Sequence, residues 1–246
     1  MNGRSQTARA VLSLRELLLD GEFEPNQRLA ELQLVKRLGV SRTPVRLAFV
    51  TLEHEGLVAA LPGGGYAVRE FTRRDIDDAI ELRGVLEGTA ARLAAERGVA
   101  RGKLGRMRAC AEEMEVVVHD GDGSVDSFVD YVKLNELFHG RLVECAESPV
   151  IERAVERVVS LPFASPSAFV LAQAGIERSH EILLVALHHH AALLDALERR
   201  QGTRAEEVAR EHARLAAENL DIALHDRQMR ESLPGGALVR VPVAGV

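Results

Sequence analysis

The stretch from Glu31 to His54 constrains the fold of this chain more than any other. Leu34, Val35 and Leu38 recur at helical spacing. Gly39 follows, and glycine commonly ends a helix because it accepts a left-handed backbone. Ser41 is a good N-cap for a second helix, and Pro44 falls in that helix's first turn, where a missing N–H costs little. Val45, Phe49 and Leu52 make its buried side, up to about His54. Two short helices joined by a glycine turn form a helix-turn-helix. A preceding helix is expected over Ala8 to Leu19, after which Gly21 and Pro25 break the chain. Two apolar runs, Leu57 to Leu61 and Tyr66 to Val68, flank Pro62-Gly63-Gly64-Gly65 and read as a β-hairpin, a wing. No Gly-Lys-Ser/Thr follows these glycines, so they are not a nucleotide-binding loop.

Arg42, Thr43 and Arg46 sit at the start of the second helix, on or near its exposed side. In this motif that end enters the major groove of DNA. Arginine can donate two bonds to guanine, and Ser or Thr can bind phosphate or a base edge. The formal net charge of −6 looks wrong for such a role, but the average hides a split. Residues 1–70 hold nine basic and eight acidic side chains, and the excess of acid lies entirely beyond them. One copy should therefore have modest phosphate affinity, and a dimer would double the contacts.

The remainder reads as helix almost throughout. Aromatics make up only 4% of the chain and Trp is absent, so cores must be built from Leu, Val and Ala. Helices are expected over Asp75–Arg97, Lys103–His119, Ser124–Glu147, from Ser148-Pro149 to near Ser160, Ile176–Arg200 and Thr203–His225. Leu161 to Ser167, with Pro162 and Pro166, must be irregular, and Thr203 with Glu206 reads as a capping box. The expected organisation is a winged helix-turn-helix over 1–70, an all-α antiparallel bundle over 71–230 and a flexible, Gly- and Pro-rich tail over 231–246: a mainly α fold. Cys110 and Cys145 are far apart, which suggests neither a disulfide framework nor a zinc knuckle and favours the cytoplasm. No apolar run approaches the roughly 18 residues of a membrane span.

Histidine is the informative residue in the helical part. Asn135 and His139 lie four apart on one helix and so share a face. His190 and His212 lie at similar distances from the Gln201-Gly202 break, so an antiparallel pair of helices would set them side by side, although spacing alone leaves His188 and His189 as alternatives to His190. Three imidazoles and an amide oxygen can converge inside such a bundle and suit a divalent transition metal: Zn, Ni, Cu, Mn or Fe. A bundle metalloenzyme is the alternative. However, His180-Glu181 lacks the second His of H-E-x-x-H, since position 184 is Leu, and no activated Ser or Cys pair is evident. A DNA-binding dimer that senses nothing is a further alternative.

Phe23-Glu24-Pro25-Asn26-Gln27-Arg28-Leu29, Val40-Ser41-Arg42-Thr43-Pro44-Val45-Arg46 and Leu52-Glu53-His54-Glu55-Gly56-Leu57-Val58 closely resemble the GntR family of bacterial repressors. That resemblance implies DNA contacts from Arg28, Arg42, Thr43 and Arg46, with Ser41 at the helix start and Gly63 in the wing. The family often has Pro-Gly where this chain has Pro25-Asn26, and Glu where it has Leu47. Asn135-Glu136-Leu137-Phe138-His139 and Arg83-Gly84-Val85-Leu86-Glu87 resemble motifs of the FCD effector domain of the FadR-like branch. This second resemblance implies the ligands Asn135, His139, His190 and His212, holding Zn, Ni, Mn or Fe with open positions for the carboxylate of a small organic acid effector, and Arg83 helping to hold that anion. Asn135 stands where the family also uses Asp and supplies a neutral oxygen. Together the resemblances imply a homodimeric, non-enzymatic repressor on palindromic double-stranded DNA, released by its effector, with no membrane partner.

Overall fold

The computed structural model describes residues 3–121, 125–161, 163–168, 170, 177–225 and 233–240. Helix α1 (Gly3–Leu19) leads into strand β1 (Arg28–Leu29), then α2 (Glu31–Leu38) and α3 (Arg42–His54). Gly39 takes φ 63, ψ 34, and its N–H closes the end of α2 on the carbonyl of Val35. Asn26 also has a positive φ, of 65, which Asn tolerates better than most residues; it replaces the family's glycine without straining the turn. Ser41 occupies the N-cap position of α3, but its hydroxyl makes no capping bond, a departure from the expected cap. Pro44, third in the helix, needs no N–H partner there.

On α3 the residues Val45, Ala48, Phe49 and Leu52 are buried, at spacings of three and four that define one face. They meet Ala10, Val11, Leu14 and Leu18 of α1, which starts a turn earlier than the apolar pattern indicates. Arg15 of α1 holds Glu55, just past α3, through two bonds of 3.0 and 2.6 Å. The wing is β2 (Val58–Ala60) and β3 (Tyr66–Val68), antiparallel, with Ala59 opposite Ala67. Strand β1 pairs with the other edge of β3, with Leu29 opposite Tyr66. The sheet therefore has three strands where the pattern shows two, because a two-residue strand leaves no periodic signal.

Strand β4 (Phe71–Thr72) joins the wing to α4 (Arg73–Arg97). Thr72 and Asp75 cap α4 reciprocally: the Asp75 N–H donates to the Thr72 hydroxyl at 3.2 Å, and the Thr72 N–H donates to the Asp75 carboxylate at 2.8 Å. Next come α5 (Arg101–Asp120), α6 (Val125–Cys145), α7 (Pro149–Val159), α8 (Glu177–Glu198) and α9 (Gly202–His225). Helices α4 and α9 run antiparallel, and small residues let them approach. A Cβ on Gly84 would lie 3.0 Å from that of Ala213, and one on Gly88 would lie 3.1 Å from the Glu206 carbonyl. Ion pairs flank this seam: Arg73–Asp221, Arg210–Glu81 at 3.1 Å and Arg92–Glu206 at 2.9 Å. The last of these corrects the expected capping box. Thr203 lies inside the first turn of α9, which starts at Gly202, and Glu206 reaches across to α4.

The expectation of a flexible tail also fails for residues 233–240. Leu233 and Leu238 are buried, and the Gly235 N–H donates to the Leu19 carbonyl at 2.8 Å. Strand β5 (Val239–Arg240) pairs in parallel with β4, Phe71 opposite Val239. The reason is a hydrophobic contact remote in sequence: one core takes in Leu14, Leu18, Leu52, Phe71, Ile76, Phe163, Leu220 and Leu238. Residues 231, 232 and 241–246 of the expected tail lie outside the described residues. A second core, with Met107, Met114, Phe138, Leu142, Leu193 and Leu197, fills the bundle of α4, α5, α6, α8 and α9. Among the described residues no helix is long and apolar enough to cross a membrane.

Candidate metal centre and nucleic-acid interface

Three helices deliver three histidines to one point. His139 of α6, His190 of α8 and His212 of α9 are buried, and their ligand atoms lie within 4.8 Å of one another. The Nε2 atoms of His139 and His212 are 3.1 Å apart. Two ring nitrogens that close either share a proton or face a common cation. The other side of His139 is fixed, because its Nδ1 lies 3.0 Å from the Glu87 carboxylate. A carboxylate behind an imidazole sets the tautomer and turns the far nitrogen toward a metal.

The unsatisfied polar atoms mark the same spot. Both ring nitrogens of His190, Nδ1 of His212 and Oδ1 of Asn135 are buried with no hydrogen-bond partner. Each such group costs about 1–3 kcal/mol if left bare. Asn135 stands one turn before His139, and its Nδ2 donates to the Ser167 hydroxyl at 3.1 Å, which leaves the amide oxygen as the open acceptor. Burial pushes the His190 and His212 pKa values well down, and neighbouring imidazoles push the same way. Both rings are therefore neutral, the form that ligates metal. Three imidazoles, an amide oxygen and the Glu87 carboxylate behind His139 fit a divalent transition ion.

Arg83 and Glu87 are fully buried on α4, one turn apart. Burial pushes the Glu87 carboxyl upward, but the charges of His139 and Arg83 outweigh it and hold the group low. Burial lowers the Arg83 guanidinium, against the pull of Glu87. Arg83 donates to the Ala213 carbonyl at 3.3 Å and its Nη1 approaches Glu87 at 4.0 Å, while neither Nε nor Nη1 makes a hydrogen bond. Its charge also helps to depress His212, so it stands near the cluster. A cleft of about 430 Å³ between α6 and α7 is walled by His139 and Glu87 and rimmed by Glu136, Glu144, Glu152 and Glu156.

Of the neighbouring histidines, His188 is exposed, with Nδ1 2.7 Å from the Leu184 carbonyl, and His189 is half-buried with its ring 5.8 Å from that of His212. The rotation of α8 makes His190 the member of the cluster. Spacing could not decide this, because adjacent residues on a helix differ in direction by about 100°. Spacing also gave no sign that Glu87 lies behind His139. The signal was there in Arg83 and Glu87 on an otherwise apolar stripe.

At the other end of the molecule, Ser41, Arg42, Thr43 and Arg46 line the exposed start of α3. Gly63 is exposed at the wing tip, and Arg28 reaches that tip, donating to the Gly64 carbonyl at 2.9 Å. Glu31, at the first position of α2, was not singled out by sequence. It lies 2.8 Å from Nε of Arg46 and 3.8 Å from Nε of Arg42.

Comparison with known proteins bears on both regions. Residues 6–68 match the family described as bacterial regulatory proteins, gntR family, and residues 78–215 match the FCD domain. The chain is 30% identical over 148 residues to the HTH-type transcriptional regulator YdhC of Bacillus subtilis, a stretch covering 60% of this chain and 64% of that protein. It is 25% identical over 240 residues to the Glc operon transcriptional activator of Escherichia coli K12, covering 90% and 92%. The solved structure of Lar, which controls expression of the Listeria monocytogenes agr system, superposes with a TM-score of 0.62 at 22% identity, over 88% of this chain and 97% of that one. Both curated relatives are named as transcriptional regulators, not as enzymes. The chain belongs to the GntR family of DNA-binding transcriptional regulators, with an N-terminal helix-turn-helix domain followed by an FCD domain.

Proposed function

We propose that this regulator is a homodimer whose two winged domains occupy the half-sites of a palindromic operator in the cytoplasm, and that a small carboxylate bound at the histidine cluster controls that occupancy. The observation that carries this reading is the cluster itself: three buried histidines with ligand atoms within 4.8 Å of one another, where both ring nitrogens of His190, Nδ1 of His212 and the Asn135 oxygen have no hydrogen-bond partner. A divalent ion held by Asn135, His139, His190 and His212 would supply Lewis acidity to a carboxylate oxygen. Glu87 orients His139, and Arg83, with two nitrogens that make no hydrogen bond, offers the effector a buried cation. The glutamate rim of the adjoining cleft disfavours polyanions, so the effector carries one carboxylate on an otherwise uncharged or cationic frame.

Coupling runs along α9. His212 belongs to the cluster, and Ala216, Leu220 and Ala223 of the same helix lie in the core shared with α1, α3 and β4. A second route leads from Asn135 through Ser167 to the segment carrying Phe163, whose ring meets Phe71 edge-on at 5.5 Å. The effector must favour one arrangement of these elements over the other, or it shifts nothing. In the proposed mode the free protein represses and the effector releases it.

The test is metal analysis of the purified full chain with His139→Ala and His190→Ala beside it, followed by a screen of small monocarboxylates for release from DNA. Near one ion per chain in the wild type, absent from both variants, and effector response lost with it, is the expected result. A wild type that stays metal-free after reconstitution overturns the metal centre. A reporter gene under the operator reads the sign, and activation by the free protein would reverse the proposed polarity.

A further inference from the structure

A carboxylate on a face that meets DNA is repelled by the phosphate backbone, so its presence there calls for a physical reason. Glu31 is such a group. It opens α2, next to the N-terminal end of α3, and each of its oxygens faces the Nε of one arginine: 2.8 Å to Arg46 and 3.8 Å to Arg42. Arg46 is hydrogen-bonded at Nε and Arg42 is ion-paired; among the described residues neither guanidinium has a further hydrogen bond or ion pair, so the Nη edges of both remain open. Guanine is read by a bidentate pair of N–H donors, and an arginine held at Nε still has two donors to present.

We propose that Glu31 is a positioning residue for DNA recognition, presetting Arg42 and Arg46 and lowering affinity for non-operator DNA. The inference rests on the reading that α3 enters the major groove. A free arginine side chain samples many rotamers, and restraining two of them beforehand reduces the ordering cost of a correct base contact. On non-operator DNA the arginines have no base to meet, and the Glu31 charge then opposes phosphate contact without compensation. The same residue strengthens the specific complex relative to the non-specific one from both sides. Both arginines are well exposed, so the pair contributes little to folding, and its removal leaves the domain intact.

The experiment uses the full-length protein and two duplexes of equal length: one selected by the wild type from a random-sequence library, and a shuffled version of it. Glu31→Ala should bind the shuffled duplex more tightly than wild type, and the ratio of selected to shuffled affinity should fall about tenfold, the scale of one lost bidentate base contact. On the shuffled duplex, the slope of log affinity against log salt should steepen by about one unit, for one phosphate contact no longer offset. Glu31→Gln, which keeps an oxygen for one arginine, should fall between Ala and wild type. An unchanged ratio in Glu31→Ala, with the melting curve intact, overturns the proposal. Arg46→Ala separates the two levels: it must abolish preference for the selected duplex. If it does not, the assignment of α3 as the reading helix fails, and the role of Glu31 with it.

Discussion

Replacing His190 by Leu should stabilise the metal-free protein and abolish its response to metal, a pair of opposite effects that few other readings of this residue predict. His190 is fully buried, makes no hydrogen bond through either ring nitrogen and packs against Phe138, with ring centroids 4.4 Å apart. A bare buried polar group costs about 1–3 kcal/mol, and Leu fills similar volume without polar atoms. Allowing for imperfect fit, the gain should be about 2 kcal/mol, which for a chain of this size raises Tm by about 4–8 °C. Metal does the reverse for the wild type. An ion in thousandfold excess over its Kd adds about 4 kcal/mol to the native state, and the Leu variant should forgo that. The assay is a thermal melt of both proteins in chelator and in a slight excess of Zn or Ni. A variant that melts below the wild type in chelator and still rises with metal would falsify the account: His190 would then be a packing residue with partners of its own.

Further outcomes follow from the same geometry. Glu87→Gln should weaken metal binding about 10–100-fold by releasing the tautomer of His139, measured by competition with a chromogenic chelator. In chelator the protein should lose stability as pH falls below about 6.5, because the unfolded chain takes up protons there that His190 and His212, held low by burial, refuse; stability should be highest above that value. Denaturant titration across pH 5 to 8 reads this, and a flat profile contradicts it. Leu238→Ala should cost about 2–5 kcal/mol on unfolding, the penalty of a buried leucine and far more than a loose tail would allow. Gly88→Val should cost about 1–3 kcal/mol by forcing α4 off the Glu206 carbonyl, read by the same titration.

How far the fold is legible depends on the range of the interactions that determine each part. Gly39, Pro44 and the Val45–Phe49–Leu52 stripe act within a turn or two, and the bounds of α2 and α3 fall where those residues indicate. Glu206 shows the opposite case. Its local pattern with Thr203 matches a capping box, yet Arg92, remote in sequence, takes the carboxylate. The segment 233–240 fails for the same reason. Its glycines and proline look like loose chain, but Leu233 and Leu238 fill a pocket in the other domain's core. At the site, residue types and the four-residue spacing of Asn135 and His139 were readable. The choice of His190 over His188 and His189 needed the rotation of α8, and the place of Glu87 needed the packing of α4 on α6. A lone glutamate in a first turn reads as a response to the helix dipole, so nothing local marks Glu31 as a partner of two arginines.

Helix α9 carries His212 near its middle and Leu220 two turns further on, about 12 Å away along the axis at 1.5 Å per residue. One face of this rod touches the histidine cluster, and another forms part of the core that the winged domain shares. Sensitivity to the effector should therefore be heritable at positions that never touch it. A genetic selection for regulators that respond to less effector, or to none, should return changes at Ala216, Leu220 and Ala223, and beneath the wing, as readily as in the pocket.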